Sequence, residues 1–144
     1  MNFGRLFAAY LPAALVTYVV AAGFYTQQII AKQVAVGATY SVAQDINALL
    51  LNIAGLWQYG ATLAIGLLLG FVVGARVKRW LTPLAPVAYS TAGAAAVLAV
   101  LMLIETMYSG GVGAIGGARD GLGIFLQCLA GFIGGGVFER LRPR

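Results

Sequence analysis

Residues 80–104 read WLTPLAPVAYSTAGAAAVLAVLMLI, an uncharged run of 25 residues between Arg79 and Glu105. At a rise of about 1.5 Å per residue, about 20 apolar residues cross the roughly 30 Å hydrocarbon core of a bilayer. The run does not alternate between apolar and polar residues, as a strand of a membrane β-barrel would. This stretch therefore predicts a membrane-spanning α-helix.

Three further uncharged windows lie on either side of this run. They contain 26, 30 and 18 residues and lie between Arg5 and Lys32, between Asp45 and Arg76, and between Asp120 and Glu139. Together the windows predict an all-α, four-transmembrane-helix bundle forming a single domain, residues 1–144. The spans are expected at about residues 6–31, 57–75, 84–108 and 121–138. The first window is longer than the apolar core of a signal peptide, so we expect this helix to be retained.

The composition excludes several classes of protein. The chain is 61% hydrophobic and 9% charged, with a mean hydropathy of +0.91, whereas a soluble domain carries about 25% charged residues. It has no histidine, and a single cysteine, Cys128, cannot form an internal disulfide. Histidine-held metals and haem, and Ser-His-Asp or Cys-His catalysis, are therefore excluded. We expect no enzyme activity, cofactor or metal site.

The motif GxGxxG at residues 111–116 does not change this expectation. A dinucleotide site needs that motif after a strand and within a βαβ unit. Here it follows a predicted transmembrane helix, so we interpret it as a chance match in a glycine-rich loop.

The positive charges predict the orientation of the chain, whose net charge is +5. With both termini inside, seven cations are cytoplasmic, and Lys32 and Arg119 are outside; the seven are Arg5, Arg76, Lys78, Arg79, Arg140, Arg142 and Arg144. Such a bias near span ends sets topology. We expect a multi-pass protein of the plasma (inner) membrane with both termini cytoplasmic. The basic clusters either set topology and attract anionic lipid or bind a protein or nucleic acid; we expect the former and no nucleic-acid partner.

The four spans form two helical hairpins whose ends resemble each other. Residues 70–75 read GFVVGA and residues 131–136 read GFIGGG, an offset of 61 residues. Pro12 and Pro86 lie near the starts of the first and third spans. These matches suggest a parallel internal repeat. The alternative is a likeness of composition between glycine-rich helices.

The two outer loops differ in character. In about residues 38–54, apolar residues recur at helical spacing: Val42, Ile46, Leu49, Leu50 and Ile53. The pattern predicts an amphipathic helix that lies on the outer membrane surface or caps the bundle. Its polar face lacks Lys and Arg, which favours capping. The second outer loop, residues 109–120, is rich in glycine and either re-enters the bundle or stays outside.

Glycines recur at steps of four or eight residues on two spans, which places them on one face of each helix. These helix-packing candidates are Gly66, Gly70, Gly74, Gly123, Gly131 and Gly135. Small residues let two helix backbones approach closely in a membrane. Either the two faces contact each other within one chain, or one of them contacts a second copy or another subunit.

Four polar residues form a candidate site, and two interpretations of it remain open. Glu105 lies in the last turn of the third span, Arg119 and Asp120 precede the fourth, and Gln127 lies within it. In the first, Glu105 and Arg119 clasp the glycine-rich loop, with Asp120 competing for Arg119, while Gln127 makes an interhelical hydrogen bond. In the second, they line an outward-facing vestibule for an ion or small polar solute.

The packing features predict the function more strongly than the polar ones. We expect a non-catalytic integral membrane subunit or scaffold, which packs through glycine-rich helix faces with itself or a larger membrane complex. The lipid bilayer and a homo-oligomer or other membrane subunits are the expected partners. The alternative is a small oligomeric channel or transporter for an ion or small polar solute.

Overall fold

The computed structural model describes residues 3–80, 83, 85–107 and 118–142, and over these residues it is helical without strands. Five helices follow one another: α1 Phe3–Ala35, α2 Val42–Gly55, α3 Trp57–Trp80, α4 Ala88–Met107 and α5 Gly121–Leu141. Four of them, α1, α3, α4 and α5, are long and apolar enough to cross a membrane. The prediction of an all-helical chain with four such helices is confirmed for the described residues.

Several helix ends differ from the predicted spans, and two of the differences have a local physical reason. Helix α4 begins at Ala88, four residues later than expected, because Pro86 disfavours helical geometry in the residue before it. Helix α1 continues past Lys32 to Ala35, since a charge ends an apolar window without ending a helix. The chain then turns at Gly37, whose φ of 99° lies in the left-handed region that favours glycine.

The spanning helices pack in the spatial order α1, α5, α4, α3, with a smaller contact between α1 and α3. Ion pairs mark the two ends of the bundle. Lys78 of α3 pairs with Glu139 of α5 at the end where both helices finish, here called the basic end. Lys32 of α1 pairs with Asp120, directly before α5, at the other end, here called the loop end.

The core consists of two clusters of buried residues, one towards each end. Towards the basic end, Phe71 stacks on Phe138 with ring centroids 4.4 Å apart, and Tyr89 meets Phe138 edge-on at 5.0 Å. Towards the loop end, the buried residues are Ala21, Tyr59, Leu63, Val97, Val100, Leu101 and Ala130. Aromatic pairs at such distances stabilise a core beyond the area they bury.

Helix α2 forms where the amphipathic pattern predicts a helix, and part of its apolar stripe faces outward. Ser41 begins the helix with a capping box, exchanging hydrogen bonds with Gln44. No residue of α2 is buried, and Val42, Ile46 and Leu50 are exposed. Leu49 and Ile53 of the same stripe are half-buried, so whether α2 caps the bundle or lies on the membrane surface stays a prediction.

Two hydrogen bonds connect α2 to α1. Asn52 donates a hydrogen bond from Nδ2 to Thr26 Oγ1 at 3.0 Å. The hydroxyl of Tyr18 donates to the carbonyl oxygen of Ile53. The outward apolar residues of α2 are thus left for lipid or a neighbouring protein.

Two expectations stay predictions. One is the side of the membrane on which each terminus lies, and the other is the internal repeat. Residues 108–117 lie outside the described residues. The question of whether the glycine-rich loop re-enters the bundle falls on those residues.

Candidate functional site

Helices α4 and α5 meet at the distance of backbone contact. A methyl group built on Gly131 would lie 2.4 Å from the carbonyl oxygen of Gly93, and one on Gly93 would lie 2.2 Å from that of Gly131. A methyl group on Gly135 would lie 2.0 Å from the carbonyl oxygen of Tyr89. Real carbon atoms do not approach oxygen so closely, so only glycine fits this interface. Gly123, nearer the loop end, is also buried.

The glycine stripe of α3 packs against α4 as well. Methyl groups built on its three glycines would lie within 3 Å of side-chain atoms of Val100, Ala96 and Ala92, in the order Gly66, Gly70, Gly74. Both stripes therefore contact neighbouring faces of α4. The two stripes do not face each other, because α4 lies between them; α3 and α5 meet through side chains such as Phe71 and Phe138.

A third close contact, between α1 and α5, was missed by sequence reasoning. A methyl group on Gly134 would lie 1.8 Å from Thr17 Oγ1. Thr17 is completely buried and donates a hydrogen bond to the carbonyl oxygen of Ala13 at 2.9 Å. The signal was available, because consecutive glycines at residues 134–136 leave more than one face of α5 without side chains.

Gln127 is completely buried and connects three helices. Its Nε2 donates to the carbonyl oxygen of Ala21 in α1 at 3.0 Å, and its Oε1 accepts from the hydroxyl of Tyr59 in α3 at 2.9 Å. A buried amide without partners would be costly. Here both ends of the amide have a partner, so this group holds α1, α3 and α5 in register.

At the loop end, Asp120 caps the start of α5 and contacts α1. Its Oδ1 accepts from the backbone N–H of Gly123 at 2.7 Å, and its Oδ2 lies 3.0 Å from Lys32 Nζ. The hydrogen bond from Gly123, followed by that from Lys32, holds the pKa of Asp120 below its ordinary value. Lys32 was not predicted as its partner.

The four predicted site residues do not lie at one depth. Glu105 and Arg119 are exposed near the loop end, whereas Gln127 follows Asp120 by seven residues, about 10 Å along α5 at 1.5 Å per residue. The segment joining Glu105 to Arg119 includes residues outside the described part of the chain. The Glu105–Arg119 clasp and the vestibule therefore stay predictions.

At the basic end, a cluster of charged side chains surrounds Tyr89. Lys78 donates to Glu139 Oε1, and Arg142 Nε lies 3.4 Å from Glu139 Oε2. Arg142 Nη1 also donates to the hydroxyl of Tyr89 at 3.2 Å, with the guanidinium 5.0 Å from the ring centroid. The 61-residue offset that suggested a repeat also relates Lys78 to Glu139, but sequence alone did not show that they pair.

Within the described residues, Gln127 is thus the buried amide that joins three helices, and charged side chains pair at both ends of the bundle. Comparisons with protein-family models, with curated proteins and with solved structures find no match to this chain. We therefore infer its function from its own contacts.

Proposed function

We propose that this chain is a non-catalytic subunit of a membrane assembly, either with copies of itself or with larger membrane proteins. The observation that carries the proposal is the close packing of α4 and of α1 against α5. Helices α4 and α5 touch through the backbones of Gly93 and Gly131, and α1 meets α5 through Thr17 and Gly134. Contacts this close leave no room between these helices for a solute.

The distribution of charge supports the same proposal. All four acidic residues of the chain lie outside the middle of the spans, at Asp45 in α2, Glu105 in the last turn of α4, Asp120 before α5, and Glu139 near the end of α5. Proton- or ion-coupled transport generally places an ionisable group near the membrane centre. The buried Gln127 is already hydrogen-bonded to Tyr59 and Ala21, which makes it a packing group.

The surface for association then lies on the outward faces of the helices, because the glycine stripes are used within the chain. Helix α2 presents Val42, Ile46, Leu50 and Leu51. Helix α3 presents Ile65, Leu68, Leu69, Val72 and Val73. In this proposal, partner subunits and lipid share these faces, and the basic end faces the cytoplasm of a plasma-membrane protein.

The test compares the tagged full chain extracted in mild detergent from its native membranes with the same chain made in a foreign host. We expect native particles to contain other membrane subunits, or further copies of the chain, in a fixed ratio. Vesicles reconstituted with the purified chain should show no ion leak above empty vesicles. A symmetric homo-oligomer that conducts ions, with flux altered by Glu105→Gln, would instead establish the channel alternative.

A further inference from the structure

A cavity of about 510 Å³ opens at the basic end, where α3 and α5 finish. Its lining consists of Lys78, Glu139, Arg140 and Arg142, here called the basic pocket. Three cations against one carboxylate leave an excess of two positive charges. An anion is therefore the kind of ligand that the pocket attracts.

Glu139 organises the cations without neutralising them all. Its carboxylate contacts both Lys78 and Arg142. The side chains of all three are about a quarter exposed, at 24%, so water screens their charges less than it would on an open surface. Two cations are thus held beside one carboxylate, while Arg140 adds a third charge at the rim.

Tyr89 fixes the position of Arg142 in the pocket. The hydrogen bond to its hydroxyl and the stacking of the guanidinium over its ring act on the same side chain. Lys78 Nζ also lies 5.7 Å from the centroid of that ring. Cations that are already positioned lose less conformational entropy when an anion binds.

The position of the pocket at the helix ends favours a lipid as the source of the anion. It lies at the end of two helices long enough to span a bilayer, and Trp80, 84% exposed, ends α3 two residues after Lys78. Exposed tryptophan at a span end is typical of the headgroup level. Basic pockets between transmembrane helices bind phosphate-bearing headgroups, and arginine binds phosphate oxygens through paired N–H groups.

We propose that the basic pocket binds the phosphodiester headgroup of an anionic phospholipid. Arg140 and Arg142 donate to the phosphate oxygens, and Lys78 contributes charge from the opposite helix. The bound lipid bridges the ends of α3 and α5, the two helices that also share the Lys78–Glu139 pair. The site does not depend on the assembly role proposed above.

Native mass spectrometry of the full chain in mild detergent tests this proposal, with phosphatidylglycerol and phosphatidylcholine of the same acyl chains. We expect the wild-type chain to retain more phosphatidylglycerol. Arg140→Gln should lower that retention about five-fold, the equivalent of one basic contact. Arg79→Gln is the matched control, since Arg79 is an exposed cation near the same end that does not line the pocket. This variant should change retention by less than about two-fold, the smallest change we take as meaningful.

A second variant tests the role of the carboxylate in the opposite direction. Glu139→Gln removes the competing negative charge while Tyr89 still positions Arg142, so retention of phosphatidylglycerol should rise. Equal losses in Arg79→Gln and Arg140→Gln would overturn the proposal, because binding would then follow surface charge alone. Equal retention of the two lipids would also overturn it. Excess inorganic phosphate that displaces the lipid and stabilises the chain by itself would overturn the lipid source in favour of a free anion.

Discussion

At the scale of single residues, the absence of a side chain is what lets the helices of this bundle approach closely. Lipid tails are as apolar as leucine, so helices in a membrane associate by close packing and hydrogen bonds. Gly93 and Gly131 bring two backbones into contact. The same residue type elsewhere has no such role, since a methyl group on Gly23 would meet nothing within 4 Å.

Gly131→Ala should destabilise the folded chain by about 1–3 kcal/mol, because the added methyl group overpacks the interface with Gly93 and Val97. The measurement is the free energy of unfolding in detergent. Gly23→Ala is the matched control and should be neutral or slightly stabilising, since alanine is the better helix former. Equal effects of the two substitutions would show that α4 and α5 do not meet in backbone contact.

The buried amide of Gln127 allows a double-mutant test. Tyr59→Phe removes the donor to Gln127 Oε1 and should cost about 1 kcal/mol, because a buried acceptor loses its partner. Gln127→Leu should also destabilise. Combining the two should cost less than the sum, with a coupling energy of about 0.6 kcal/mol, typical of hydrogen bonds in membranes. Strict additivity would mean that the two side chains do not interact.

At the scale of whole elements, α2 is the helix least held by the rest of the molecule. It buries no residue, and its hydrogen bonds to α1 come from Asn52 and Tyr18. Helices with few buried contacts open locally more often than the core. We therefore expect α2 to be the first helix to exchange its amide hydrogens.

Asn52→Ala should increase hydrogen exchange across Val42–Gly55 while leaving α4 and α5 unchanged. The physical reason is the loss of the hydrogen bond to Thr26, which joins α2 to α1. Exchange followed by mass spectrometry gives the comparison. Asn47→Ala, at an exposed position of the same helix, should have no such effect; similar exchange in both variants would indicate that α2 is held in another way.

The beginning of α5 should depend on pH through Asp120. Its pKa in the folded chain is lowered from 3.8, first by the Gly123 hydrogen bond and then by Lys32. Because the pKa is lowered, the carboxylate contributes its full stabilisation above about pH 3.8, the ordinary pKa. This contribution is lost as the pH falls through the lower pKa of the folded chain. The NMR signal of the Gly123 amide should report that loss.

Two variants separate the causes of this shift. In Lys32→Gln, the pKa of Asp120 should rise but stay below its ordinary value, because the larger cause, the Gly123 hydrogen bond, remains. In Asp120→Asn, the acid transition of the Gly123 signal should disappear while an oxygen still caps the helix. A transition that persists in Asp120→Asn would assign it to another group.

At the scale of the whole molecule, the orientation is testable with single cysteines in a chain carrying Cys128→Ala. Ser41→Cys, at the start of α2, should react with a membrane-impermeant maleimide added outside intact cells. Arg79→Cys, at the basic end, should react only after the membrane is opened. Both positions are exposed, so accessibility within the fold does not limit either reaction. The reverse pattern would overturn the orientation inferred from the cations.

The sequence by itself determined the number and approximate extent of the spanning helices. Uncharged windows of sufficient length predict them because the cost of placing charge in hydrocarbon is local and large. The small-residue spacing on α3 and α5 was equally visible, since it depends on helical periodicity alone. Helical periodicity also places Gln127 on the glycine stripe within a span, so the sequence identifies it as an amide that needs a hydrogen-bond partner.

Only the tertiary structure decided what these surfaces contact. Both glycine stripes meet α4, Gln127 binds Tyr59 and Ala21, and Asp120 pairs with Lys32. Each of these pairings depends on the spatial order of the helices and on their rotation about their axes. Helix order and rotation are set by the packing of all four helices together. Alternative arrangements differ little in free energy, so no local pattern along the chain specifies one of them.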